Sequence, residues 1–341
     1  MIAERLTAQL LAGAPAREPT AVVDRLLAVQ GQDPRGARLA IRARTAGLGA
    51  TDVDRALSVD RSLLITWLNR GTLHLVAGED YPWLHALTTP PLLSGNARRL
   101  AQEGVTQSRA ERGVKVIERS LAEEGPLTRV QLRERIAAAG VRTEGQALVH
   151  LLMLAGLRGI AVRGPMVGRQ HAYVLVDDWL GRPTAAIDRN RALAELARRY
   201  LAGHGPADER DLAKWAGLPL RDVRVGLGAI ASELYKRPDG LLDLAGRQPA
   251  AELPVPRLLG AFDPLLLGWI SREPILAAHH RRIVTVNGLF RPFALVRGRA
   301  VATWKMGAGE VVLDDPFDRL TSRDATALRA DAKDVARYLT S

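Results

Sequence analysis

A helix that breaks at Gly-Pro, resumes as two shorter helices and ends in a β-hairpin occurs twice in this chain, and that recurrence limits its fold more than any other feature. In the first copy a helix runs through Val114, Val116, Ile117 and Leu121 and stops at Gly125-Pro126. Thr128 offers an N-cap to a second helix containing Val130, Leu132 and Ile136, closed by Gly140. Thr143-Glu144-Gly145-Gln146 predicts a capping box for a third helix through Leu148, Leu151, Leu152 and Leu154. Residues 160–163 and 172–176, with a Gly164-Pro165 turn after the first run, complete a hairpin. Three helices followed by a β-hairpin make a winged helix.

The second copy breaks at Gly205-Pro206, 80 residues after the first Gly-Pro. Before it a helix passes through Leu193, Leu196 and Tyr200; after it come helices over 208–215 and 220–234 and a reduced wing at 235–242. The N-terminal part fits the same plan, with helices near 2–12, 20–29 and 35–46. Its hairpin joins 63–68 to 72–76 through Asn69-Arg70-Gly71. From about 255 the chain changes character. Short β-rich runs, including 281–286, the Asn287-Gly288 turn, 293–296, 301–305 and 311–313, predict a small antiparallel barrel. An amphipathic helix over 322–338 follows. The expected class is therefore α+β, with modules at 1–105, 106–183, 184–250 and 251–341.

Composition narrows what such modules do. The 341 residues have room for more than one core, and 47 % are hydrophobic, which excludes a disordered chain. The formal net charge is +11. Only Lys115, Lys214, Lys236, Lys305 and Lys333 are lysines, so nearly all of the 48 basic side chains are arginine. Arginine's planar fork of donors fits phosphate oxygens and favours a nucleic-acid partner; a compositional bias of the genome would also produce it. With no cysteine, disulfides, thiolate catalysis and thiolate-held metals are excluded. No apolar run reaches the roughly 18 residues of a membrane span, and Met1-Ile2-Ala3-Glu4-Arg5 lacks a secretory signal. The expectation is a cytoplasmic, nucleoid-associated monomer without a membrane or a cofactor. His74, His85, His150, His171, His204, His279 and His280 are not spaced as metal pairs, and His279 and His280 in a strand would face opposite ways.

One segment carries candidate chemistry. A helix bearing Val22, Val23, Leu26 and Leu27 leads into Gln30-Gly31-Gln32-Asp33-Pro34. Asp33 before Pro34 marks a helix start, so the glutamines lie in a tight connection where Gly31 permits an unusual backbone angle. In extended backbone, residues i and i+2 project to one side, and two amides then converge on one volume. The same glutamines also fit a plainer role, capping helix ends or facing water.

The chain resembles the AlkZ-like DNA glycosylases, also described as the helix-turn-helix 42 winged-helix family. The resemblance spans nearly the whole chain. It rests on Gln30-Gly31-Gln32-Asp33-Pro34 with Arg42 and Arg44, on Arg70-Gly71-Thr72-Leu73-His74-Leu75-Val76, on Phe262-Asp263-Pro264-Leu265-Leu266-Leu267-Gly268-Trp269, and on Gly298-Arg299 with Thr303-Trp304. It implies three tandem winged helices and a C-terminal β-barrel, C-shaped around a DNA-binding cleft. It also implies hydrolysis of N-glycosidic bonds to bulky or cationic alkylated purines, interstrand crosslinks included, in double-stranded DNA. Gln30 and Gln32 take the catalytic role by resemblance; the family's middle residue is usually aliphatic, and Gly31 stands there here. Thr72, His74 and Asp263 follow as active-site support, although a histidine in an inter-domain contact and an aspartate shaping a turn are the plainer readings. Candidate phosphate contacts are Arg163, Arg169, Arg221, Arg224, Arg281, Arg282 and Arg291. With no lysine near the glutamines, a Schiff-base step is not expected. The rivals are a non-catalytic transcriptional regulator, which needs recognition helices that read base edges, and a protein-binding scaffold.

Overall fold

The computed structural model describes residues 1–168, 170–181 and 188–341. They form two compact units, Met1–Val53 with Leu193–Ser341, and Asp54–Ala192.

The first unit opens with helices Ile2–Ala8 and Pro19–Leu26. Leu27, at φ 64, turns the chain out of the second helix into β1, Val29–Gln30. Asp33 then caps helix Pro34–Arg42 as its sequence predicts. Its carboxylate accepts from the Arg35 N–H, and Pro34 occupies the first turn.

In the second unit, β2 (Leu63–Leu68) and β3 (Thr72–Ala77) form the expected hairpin, with Leu63 opposite Ala77 and Leu68 opposite Thr72. Asn69 and Gly71 both take positive φ in its turn. Beyond them, β4 (Leu127–Thr128), β5 (Ala161–Val167) and β6 (Gln170–Leu175) complete an antiparallel sheet ordered β3-β2-β5-β6-β4. The two hairpins that repeat in the sequence are thus neighbours in one sheet, joined where Ile65 meets Arg163. Thr128 and Gln131 close a capping box on helix Arg129–Ala138. The box expected at Thr143 is absent. Helix Ala147–Leu157 begins at Gln146 with no side-chain cap, because Glu144 bonds the Thr143 N–H and Glu103 takes the Gln146 N–H. That third helix is enclosed. Leu148, Leu151, Leu152, Ala155 and Leu157 are buried, and Asn96 of helix Leu93–Gln102 exchanges two hydrogen bonds with His150.

The remainder of the first unit starts at Leu193, near the beginning of helix Arg189–His204. Helices Glu209–Ala216 and Leu220–Ala229 follow, then the small hairpin β7 (Leu234–Lys236) and β8 (Leu242–Leu244). Strands β9 (Arg257–Leu259), β10 (Phe293–Val296), β11 (Arg299–Gly307) and β12 (Glu310–Leu313) make a curled four-stranded half-barrel ordered β12-β11-β10-β9, not a closed barrel. Residues 281–286 explain the difference. They read as a strand, yet His280–Ile283 is a helical turn and only a single bridge, Val284 to Phe290, flanks the Asn287-Gly288 turn. His279 and His280 accordingly sit in helical turns. Helix Ser322–Thr340 covers the half-barrel, burying Leu328 and Val335 against Leu39, Leu258, Val296, Val301 and Trp304. Each such aliphatic side chain contributes about 1.5–3 kcal/mol when fully buried.

Candidate active site

Helix Pro34–Arg42 is held at both ends, and it fixes the glutamine segment that precedes it. Near its start, Gly36 packs so closely on residue 261 that a Cβ there would lie 2.3 Å from the Ala261 carbonyl oxygen; Gly260 likewise meets Leu39. At its end, Arg42 pairs bidentately with Asp331, reaches Asp334 at 2.9 Å and donates to the Leu258 carbonyl oxygen. Arg44 is fully buried and fully bonded. Nε donates to the Gln9 carbonyl, one terminal nitrogen to Ala40 O and Asp263, the other to Gln9 Oε1 and Asp263. Such forked, charge-assisted pairs fix orientation as well as energy.

On this braced segment Gln30 is buried, at 7 % exposure, and Gln32 is exposed. The two amides therefore differ in environment, one enclosed and one facing solvent. Among the described residues no side-chain hydrogen bond engages either amide, so both keep their full donor and acceptor capacity. Asp33 serves as the cap, with its Oδ1 on the Arg35 N–H. Asp263 is wholly buried, and its oxygens take Arg44 and the Leu265 N–H. It anchors the segment through Arg44.

In the second unit, Thr72 and His74 share a face of β3, opposite Leu68 and Thr66. His74 Nδ1–H donates to the Thr72 carbonyl oxygen at 2.9 Å, which leaves Nε2 as an acceptor. Burial, with the nearby Arg70 charge, lowers its pKa to about 3, so the ring is neutral at pH 7. No group of three or more His, Asp or Glu side chains among the described residues is placed to hold a metal ion.

A family profile described as "DNA glycosylase AlkZ-like" matches residues 23–338. This chain belongs to the AlkZ-like DNA glycosylase family. It is 28 % identical, over 95 % of its own length and 92 % of the relative's, to an interstrand DNA cross-link repair glycosylase of Streptomyces sahachiroi. The solved structure of Streptomyces sahachiroi DNA glycosylase AlkZ superposes with a TM-score of 0.80 at 26 % identity, covering 99 % of this chain and 95 % of that one.

The basic side chains of this AlkZ-like chain divide by what already holds them. Arg163 donates through Nε to the Tyr173 hydroxyl and lies over both the Trp67 and Tyr173 rings, contacts that tether its guanidinium within the unit. Arg224 pairs with Glu209 at 2.6 Å on the surface. Arg221 is 86 % exposed and only 3.5 Å from Asp222. Arg281, Arg282 and Arg291 are exposed beside the 284–290 turn, with Arg282 over the Phe317 ring. At that turn Val286 is fully exposed and Leu289 more than half exposed. Arg169 lies outside the described residues. Thr66 and Asn69 of the β2–β3 hairpin are buried polar residues; a lone Thr in a strand and an Asn in a turn carry no sequence signal of that burial. No helix among the described residues is long and apolar enough to cross a membrane.

Proposed function

We propose that this chain is a monofunctional glycosylase that hydrolyses the N-glycosidic bond of N7-alkylguanine-type lesions in duplex DNA, bulky adducts and interstrand crosslinks included. Gln30 and Gln32 are its catalytic amides. The observation that carries this reading is a Gln-x-Gln segment with unengaged amides, set immediately before a helix braced by Arg42 and Arg44. The crosslink-repair role of the Streptomyces relative supports the substrate class.

The chemistry suits amides. Alkylation at N7 gives guanine a positive charge, so the base leaves with the bonding pair as a neutral molecule and needs no strong acid. Water adds to C1′ and releases its proton to solvent. What the protein supplies is orientation of that water and a carbonyl dipole facing the oxocarbenium-like sugar. A carboxylate at these positions would also hold the cationic ground state, a preference that slows turnover.

In this reading the chain acts as a monomer of three winged helices, 1–105, 106–183 and 184–250, with a barrel-derived domain at 251–341. The DNA backbone meets Arg221, Arg281, Arg282 and Arg291, while Arg224 exchanges Glu209 for a phosphate. The apolar tip at Val286 and Leu289 meets the base stack. The enclosure of helix Ala147–Leu157 argues against a regulator that reads base edges with that element. Single-turnover excision from a duplex carrying one N7-alkylguanine, wild type beside Gln30→Ala/Gln32→Ala, tests the reading. Loss of base release with DNA affinity kept is the expected result; full release by the double variant refutes it.

A further inference from the structure

The stretch of chain that grips the glutamine helix also carries an aromatic pair with a cation on it. Ala261 packs on Gly36 and Asp263 pairs with Arg44, so Phe262 lies between a contact to helix Pro34–Arg42 and the ion pair just beyond its end. Phe262 holds φ 57, an uncommon conformation for a bulky side chain and one that clusters at functional sites. Its ring meets that of Phe290 at 5.5 Å between centroids, and the Arg272 guanidinium lies 5.1 Å over Phe290. Arg272 Nε donates to the Leu266 carbonyl oxygen at 2.6 Å. Carbonyl and ring together hold the fork in place and leave its two terminal nitrogens for another acceptor.

The charge on that fork is uncompensated. Arg42, Arg44, Arg198, Arg237 and Arg247 of the same unit are each fixed by a carboxylate. Arg272 has none within ion-pair distance among the described residues. It is half-buried, and burial pushes its pKa below the ordinary arginine value with no acidic group opposing the shift. A partly desolvated cation held without a counter-charge suits an anion from outside, and a planar fork suits phosphate oxygens. Phe290 joins it to the turn flanked by exposed Arg281, Arg282 and Arg291.

We propose that Arg272 binds a backbone phosphate of DNA through its two terminal nitrogens, on a platform made by Phe290 and Phe262. DNA as the source of the phosphate follows from membership of a DNA glycosylase family. That the phosphate belongs to the strand bearing the lesion rests on the glycosylase reading above; the phosphate site does not. Because Phe262 is tied through its neighbours to the glutamine helix, a strand held at Arg272 is fixed relative to the segment bearing Gln30 and Gln32.

Binding of an undamaged duplex to Arg272→Gln and Arg272→Lys, followed by fluorescence anisotropy across a range of salt concentrations, tests the site. Arg272→Gln should weaken affinity about tenfold and reduce the slope of log affinity against log salt by about 1. Arg272→Lys keeps the charge and so the slope, but it loses the fork and should bind several-fold more weakly than wild type. If the glutamine variant does not fold, the lysine variant decides alone. An arginine that only packs would lower the melting temperature of its variants and leave slope and affinity at wild-type values. That result overturns the proposal, as does a lysine variant that binds as tightly as wild type. A wild type whose slope depends on Arg272 but which releases no base from an N7-alkylguanine duplex would keep the site and overturn the glycosylase reading. Excision by wild type, with a slope indifferent to Arg272, would do the reverse.

Discussion

Truncating Asp263 to alanine is expected to cost about 3–5 kcal/mol of folding stability. Arg44 and Asp263 are both wholly buried and joined by two hydrogen bonds of 2.8 and 2.9 Å. The other donors of the guanidinium go to Gln9 and Ala40, none of which carries charge. Removing the carboxylate therefore leaves a positive charge with no counter-charge and two unmet N–H groups in the interior, and it also frees the Leu265 N–H. Equilibrium urea unfolding at pH 7, followed by fluorescence of the buried Trp269 nearby in sequence, measures the loss. The double variant Arg44→Met/Asp263→Leu should be less damaged than either single, because it buries no lone charge. If Asp263→Ala stayed within about 1 kcal/mol of wild type, or the double variant were the worst of the set, the argument that this pair braces the glutamine segment would fail.

Acid should weaken the fold through two histidines. His74 and His204 are buried with pKa values lowered to about 3, chiefly by desolvation, whereas an unfolded histidine titrates near 6.5. The unfolded state therefore binds the extra protons, and stability falls as pH drops below about 6.5 by roughly 1.4 kcal/mol per pH unit for each ring. Urea midpoints at pH 7 and pH 5 check the slope, and His204→Phe, which keeps an aromatic ring among Tyr200, Trp215 and Trp269, should flatten it. Gly36→Ala places a methyl 2.3 Å from the Ala261 carbonyl oxygen and should cost about 1–3 kcal/mol, with a slower excision rate, read by unfolding and single-turnover assays. Arg221→Ala should reduce the slope of log affinity against log salt by about 1 for undamaged DNA, since Arg221 is 86 % exposed. An unchanged slope would remove Arg221 from the interface.

What the sequence discloses here is mostly what is settled within a few residues. The Asp33-Pro34 start, the Thr128–Gln131 capping box and the Asn69-Arg70-Gly71 turn are local contests between side chain and backbone, and each resolves as its residues predict. Residues 281–286 fail for the same reason in reverse. Their β-branched run lacks a neighbouring strand to complete a ladder, so part of it coils into a helical turn. Arg163 looks like any exposed wing arginine until Trp67, from a hairpin almost a hundred residues earlier, lies beside it. The carboxylate partners of Arg42 and Arg44 lie more than 200 residues away, beyond any periodicity. The glutamine motif shows in its own residues, but a catalytic role for it comes only through resemblance, and the differing exposures of Gln30 and Gln32 depend on tertiary packing.

The bond between Arg42 and Asp331 spans 289 residues. A ribosome adding about 5–20 residues per second needs roughly 15–60 seconds to deliver the second partner after the first. Through that interval the helix that follows the glutamines lacks the carboxylate pair at its end, and a product that stops short of Asp331 never gains that pair. Order of synthesis thus makes the glutamine segment early and secures the end of the helix that follows it late.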